Sequence, residues 1–206
     1  CPKRLERPLM NMMAGWVPIE NQDTPYQVQG LEHLEEVDLK PNTRLRAIEM
    51  NHGTASLGYA AIEYRSKLRP DLAGISQSQL KELRDRGDDI TYRLEIPLLA
   101  YTGDTQMCPN LLRKEFCEAP VVLSECTFFD PNHRDRARVG RHLHVEDLPE
   151  LMEAWKAKHV VLLHVSRRSS LEQARQRVEE VLSEEDAARV HMLMDHRRNR
   201  TRYDQQ

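Results

Sequence analysis

Three short apolar segments, each running directly into a polar group with chemical reach, constrain this 206-residue chain more than any other feature. Pro97–Tyr101 ends in Thr102-Gly103-Asp104-Thr105. Pro120–Leu123 ends in Ser124-Glu125-Cys126-Thr127, and Val160–Leu163 ends in His164-Val165-Ser166. Short β-forming runs bounded by turn residues read as buried strands. Between the second and third lies Val145–Lys158, whose Leu148, Leu151, Met152 and Trp155 share one face at helical spacing. Leu171–Leu182 reads as a further amphipathic helix and Val190–Met194 as a closing strand. Strands alternating with helices predict a layered α/β fold, in which ligands collect at the strand ends.

Upstream, Leu5–Met13 has a helical pattern, Pro18–Pro25 reads as a loop and Tyr26–Leu31 as strand-like. Thr43–Met50 predicts a strand leading into His52-Gly53, followed by a strand over Leu57–Tyr64. Residues 65–93 differ in character. Arg65, Lys67, Arg69, Lys81, Arg84, Arg86 and Arg93 are interleaved with Glu82, Asp85, Asp88 and Asp89. Helical spacing over Ser76–Arg86, set off by Pro70–Gly74, predicts an excursion from the core.

A net charge of −3 argues against a generally basic nucleic-acid coat and leaves local basic patches open. No apolar run approaches the roughly 20 residues of a membrane span, and nothing at the start reads as a signal peptide. Four cysteines (Cys1, Cys108, Cys117, Cys126) form no C-x-x-C pair, which predicts free, partly buried thiols and a cytoplasmic setting.

His52, Asp104 and His164 all fall at strand ends. Imidazole and carboxylate are ligands for zinc or manganese, and a carboxylate can bridge two ions. A second cluster, Gly140-Arg141-His142-Leu143-His144-Val145-Glu146-Asp147, precedes a helix. Two histidines at i, i+2 on extended backbone project to one side. His142, His144 and Asp147 could then form a metal trio, or the two acids could simply favour the helix N-terminus.

Five segments taken in order resemble the ribonuclease Z family. They are Ala47–Tyr59 around His52, Leu99–Thr105 with Gly-Asp-Thr, Leu123–Phe129 with Glu-x-Thr-Phe, Gly140–His144 with His-x-His, and Leu163–Arg167 with His-x-Ser. The likeness is to the plant-type and cyanobacterial-type short form, whose inserted region also resembles residues 65–91. It implies a metallo-β-lactamase fold, an αββα sandwich, with this chain covering roughly the second half plus an arm at 65–93. It further implies that His52, Asp104 and His164 are metal ligands, with Asp104 bridging two zinc ions, manganese being an alternative. Glu125 and His142 match the pair that delivers a proton to the leaving oxygen, while His144 matches a neighbouring position of open role.

The activity so implied is cleavage of transfer-RNA precursors at the 3′ trailer by two-metal hydroxide attack, in a cytoplasmic homodimer. The family's upstream His-x-His-x-Asp-His motif is absent from these residues. Two explanations stand: a later portion of a longer enzyme, needing a partner lobe, or a degenerate non-catalytic RNA-binding or assembly subunit. A hydrolase of a small phosphodiester or another ester is the remaining alternative. Ser124, and Arg167-Arg168-Ser169 after His164, depart from the usual family pattern. The arm's cations are candidate RNA contacts or else a solvated helix face with i,i+4 pairs, and the basic 197–206 tail reads as a disordered segment rather than a specific RNA grip.

Overall fold

A computed structural model describes residues 1–20, 25–196 and 199–201. The tail at 197–206 lies largely outside the described residues, as does half of the loop expected at 18–25. Helix α1 (Glu6–Ile19) is followed by β1 (Glu36–Lys40), β2 (Thr43–Met50), β3 (Ser56–Leu68), α2 (Gln77–Asp85) and β4 (Thr91–Tyr101). Then come α3 (Lys114–Cys117), β5 (Val121–Glu125), α4 (Arg134–Gly140), α5 (Leu148–Ala154), β6 (His159–Leu163), α6 (Leu171–Val181), α7 (Glu184–Ala188) and β7 (Val190–Met192).

The strands form one seven-stranded sheet in sequence order, antiparallel from β1 to β4 and parallel from β4 to β7. Parallel neighbours need crossover connections, and α3, α5 and α6 lie within those connections. Their side chains pack on one sheet face. Ile48, Ile62, Ala100, Val122 and Leu162 from the strands join Leu111, Phe116, Leu151, Trp155 and Val178 in a single core. Trp155 is buried with its indole N–H satisfied, donating to the Leu111 carbonyl at 2.8 Å. The opposite face carries Tyr59, Ala61, Leu99, Leu123, Val161 and Leu163, all only partly buried.

Several boundaries depart from the sequence reading for local reasons. The helix expected over Val145–Lys158 is a single turn, Val145–Asp147, followed by α5, which stops at Ala154. Trp155 goes extended there, and the next amide, Lys156 N–H, donates to the Cys117 carbonyl. Helix α1 outruns its expected end and takes Pro18 into its last turn, at the loss of one backbone hydrogen bond.

Tyr26–Leu31 is not a strand. Leu31 bridges Pro2, exchanging hydrogen bonds with Cys1 and Lys3, so the segment packs on the chain's first turn rather than joining the sheet. Strand β1, unforeseen, is an exposed acidic edge whose Glu36 and Asp38 are matched across the ladder by Arg44 and Arg46. Such pairing is invisible until the hairpin closes through Pro41-Asn42, with Asn42 left-handed at φ 60°.

The excursion at 65–93 is a two-stranded ribbon made by the ends of β3 and β4, capped by α2 with a Ser76–Gln79 capping box. Arg65, Arg69 and Arg86 pair with Glu63, Asp71 and Asp88. Lys67, Lys81 and Arg84 make no ion pair among the described residues. All four cysteines are free, with Cys126 fully buried. No described helix is long and apolar enough to cross a membrane.

Candidate active site

The carboxyl ends of β2, β4, β5 and β6 bring His52, Asp104, Glu125 and His164 to one rim of the sheet, and the loop after α4 adds His142. Two glycines make the approach possible. Gly103 sits left-handed at φ 62°, and a Cβ there would meet the Leu57 carbonyl oxygen at 2.6 Å. At Gly58 a Cβ would meet the Tyr101 carbonyl oxygen at 2.7 Å. The resulting turn leaves Asp104 partly exposed, its carbonyl accepting from Ser56 Oγ at 2.8 Å.

Glu125 lies at the centre, fully buried and saturated with donors. Its Oε1 accepts from the Thr105 amide and from His142 Nδ1, each at 2.9 Å, and its Oε2 accepts from Thr127 Oγ1 at 2.9 Å. A buried carboxyl group is tolerated only when its oxygens are hydrogen-bonded in this way. The hydrogen-bond chain then assigns protons. Thr127 has one hydroxyl hydrogen, and Glu125 receives it. Consequently His164 Nδ1, 2.9 Å from Thr127 Oγ1, must be the donor, leaving Nε2 as the lone-pair nitrogen. His142 likewise donates through Nδ1. Its pKa is raised, chiefly by the hydrogen bond to Glu125, against the opposing effect of burial and with help from the charges of Glu125 and Asp104.

Asp104, His142 and His164 offer ligand atoms that all lie within 4.8 Å of one another. His52 stands outside this trio among the described residues. Its ring packs against that of His142 at 4.8 Å between centroids, and the His142 and His164 rings are 5.1 Å apart. The sequence reading placed His52 with Asp104 and His164 and kept His142 for proton transfer. The fold brings all four together, with His142 nearest the Asp104–His164 pair.

His144, left open, is structural. It is fully buried, with Nε2 on the Asp130 carbonyl at 2.9 Å and Nδ1 accepting from the Glu146 amide at 3.2 Å. Asp147 accepts from the His144 amide and pairs with Arg134. A metal trio of His142, His144 and Asp147 is therefore ruled out: both ring nitrogens of His144 are spent inside the fold. Thr105 and Thr127 carried no assigned role in the sequence reading. Thr127 was legible in principle, because a residue two after Glu125 on extended backbone points to the same side.

The chain matches no protein-family model. It is similar to tRNase Z TRZ1 of Arabidopsis thaliana, 25% identical over 158 residues that cover 75% of this chain and 56% of that protein. It is also similar to the chloroplastic tRNase Z TRZ2 of Arabidopsis thaliana, 27% identical over 147 residues, covering 70% of this chain and 42% of that protein. The chain thus spans about half the length of the curated relatives it matches. Among solved structures, the metallo-β-lactamase fold protein YhfI from Bacillus subtilis superimposes with a TM-score of 0.53 at 12% identity, over 87% of this chain and 59% of that one. The likeness to ribonuclease Z and the metallo-β-lactamase fold, both expected from the motifs, are findings.

Proposed function

We propose that this chain carries the later half of the active site of a metal-dependent phosphodiesterase that cleaves transfer-RNA precursors at the 3′ trailer. One observation carries the reading: Asp104, His142 and His164 converge to within 4.8 Å beside a buried, donor-saturated Glu125. Imidazole nitrogen and carboxylate oxygen are a donor set suited to zinc, with manganese as the alternative. Asp104, His164 and His52 would hold metal, Asp104 being shared if two ions bind. When bound, the metal supplies charge neutralisation at the phosphoryl oxygens and lowers the pKa of the attacking water.

The remaining steps belong to the chain's own side chains. Glu125 holds the His142 ring through Nδ1 and favours its protonated form, so that His142 can hand a proton to the leaving oxygen. A positioned general acid is typically worth about 10²–10⁴-fold in rate. Burial of Glu125 fixes the pair without competing water. The transfer-RNA substrate is supported by the names of the relatives. The ribbon at 65–93, whose Lys67, Lys81 and Arg84 make no ion pair among the described residues, is the surface best suited to its phosphates.

Three ligand residues do not complete a two-ion site. The partly buried apolar face of the sheet and the exposed Met12, Trp16 and Ile19 of α1 support a further layer that would cover them and add ligands. A cytoplasmic homodimer belongs to the same reading.

Zinc content and cleavage of a 3′-extended transfer RNA test the proposal, measured on this chain and on a longer form carrying an upstream lobe. Zinc retained by the longer form, lost in Asp104→Ala, and cleavage that disappears with it are the expected results. Metal absent from both forms ends the catalytic reading in favour of RNA binding or assembly. Turnover of a small chromogenic phosphodiester without precursor cleavage replaces the substrate class.

A further inference from the structure

His52 lies on the β2–β3 loop, yet a single residue holds it at two points, one on the ring and one on the backbone. His52 Nδ1 is 3.0 Å from the carbonyl oxygen of Arg141, and the Arg141 guanidinium donates through Nη1 to the carbonyl of His52 at 3.1 Å. A carbonyl can only accept, so His52 Nδ1 must carry the hydrogen, and Nε2 is left as the lone-pair nitrogen.

Arg141 has the backbone to make this contact. It is the C-cap of α4, left-handed at φ 55°, with its amide bonded back to the Arg138 carbonyl, and His142 N–H closes on Ala137. That conformation is uncommon for a residue with a side chain. A glycine would be the ordinary occupant of such a helix end. Here the arginine occupies it, and its side chain crosses the site to the β2–β3 loop. The residue before His52 is tied down separately, with Asn51 N–H on Thr105 Oγ1 and the Asn51 carbonyl on Gln106 N–H.

We propose that Arg141 is a positioning residue whose two-point clasp on His52 fixes that imidazole as the Nδ1–H tautomer and holds its ring against His142. The arrangement parallels Thr127 behind His164 and Glu125 behind His142, so that each of the three rings is pinned through Nδ1 by a different element of the fold. A hydrogen bond from the non-ligating nitrogen of a histidine to a carbonyl orients and strengthens it as a donor. The inference rests on the metal reading for its meaning but not for its principal readout, which needs no metal.

The test is two-dimensional nitrogen–proton correlation of the histidine rings in the metal-free protein, comparing the unmodified protein with Arg141→Gly and Arg141→Lys. Glycine tolerates the left-handed backbone, so Arg141→Gly keeps the carbonyl acceptor and removes only the guanidinium that holds the His52 backbone in reach of it, without adding strain there; thermal unfolding of each variant verifies folding. The unmodified protein is expected to show His52 as a single Nδ1–H tautomer. Arg141→Gly is expected to show a tautomer mixture at His52 with His164 unchanged, and Arg141→Lys to restore the single form in part. If zinc binds, its affinity falls about 10–100-fold in Arg141→Gly. A failure of the metal reading shows as no zinc in any variant and leaves the tautomer comparison intact. A single Nδ1–H tautomer persisting in Arg141→Gly, with or without a lowered unfolding temperature, overturns the proposal.

Discussion

Thr127 Oγ1 stands 2.9 Å from both Glu125 Oε2 and His164 Nδ1, so one hydroxyl reads the buried carboxylate on one side and sets the imidazole tautomer on the other. Because Glu125 accepts the hydroxyl hydrogen, the histidine is left no choice but to donate.

Thr127→Val keeps the shape and removes the hydroxyl. Buried Glu125 loses a donor, where an unmade hydrogen bond costs about 1–3 kcal/mol, and the exposed His164 ring loses the acceptor that fixes its tautomer. The expected result is zinc affinity lowered about 10–100-fold and a reduced unfolding temperature, with Thr127→Ser close to the unmodified protein. Calorimetry of zinc binding and thermal unfolding read both; equal affinity in the valine variant would sink the assignment.

Glu125→Gln tests the proton-delivery pair. The His142 pKa is raised above the usual histidine value, first by its hydrogen bond to Glu125. A raised pKa means that the pair's stabilisation is fully present below the ordinary histidine pKa and is lost as pH rises through the folded value. Activity that needs protonated His142 should fall over the same alkaline window. In Glu125→Gln the alkaline limb is expected at lower pH, with kcat down by about 10²-fold or more. An NMR titration of His142 in the metal-free protein checks the shift directly; an unmoved titration refutes the pairing.

Arg46 anchors the base of the sheet, bonding Glu36, Glu95, Glu115 and Tyr64. The Arg46 guanidinium, opposed by partial burial and aided by Lys114, depresses the Glu95 carboxyl to about 2. Burial pushes Glu36 and Glu115 up, but Tyr64 and Arg46 on the first and Arg113 and Arg46 on the second more than offset it, so both end low. Depressed carboxyl pKa values give stability that is present above the ordinary carboxylate value and lost as pH falls towards about 2. Arg46→Met leaves buried Glu115 with Arg113 alone. It is expected to cost about 3–5 kcal/mol and to move the acid-unfolding midpoint to higher pH, measured by circular dichroism against pH.

Gly103→Ala places a Cβ 2.6 Å from the Leu57 carbonyl at a left-handed position. Destabilisation of about 1–3 kcal/mol is expected, with Asp104 displaced and metal binding weakened more than the unfolding temperature alone would suggest. Gly53→Ala, with nothing within 4 Å of its added Cβ, is the control and should be near neutral.

Sequence and structure divide along physical lines. Apolar runs that end in Asp104, Glu125 and His164 are local, periodic signals, so β4, β5 and β6 and the residues at their tips were readable from the chain. Thr43–Met50 was bounded correctly for the same reason, since alternation and its flanking turn lie within the segment. The arm at 65–93 was visible as a change of composition, although not as a ribbon continuous with β3 and β4.

Only the tertiary structure decided what these groups do to one another. Strand β1 exists because Arg44 and Arg46 lie across from its acids, a pairing between segments. His144 belongs to the scaffold because Asp130, far from it in space until the fold closes, takes its Nε2 hydrogen. Likewise the Nδ1 partners of His52, His142 and His164 are Arg141, Glu125 and Thr127, residues 89, 17 and 37 positions away. A strand's apolar rhythm is set by its own residues, so the sequence alone determined where β2, β4, β5 and β6 end and which residues sit at those ends. The tautomer of an imidazole is set by whichever atom arrives beside it, and that the fold alone decides.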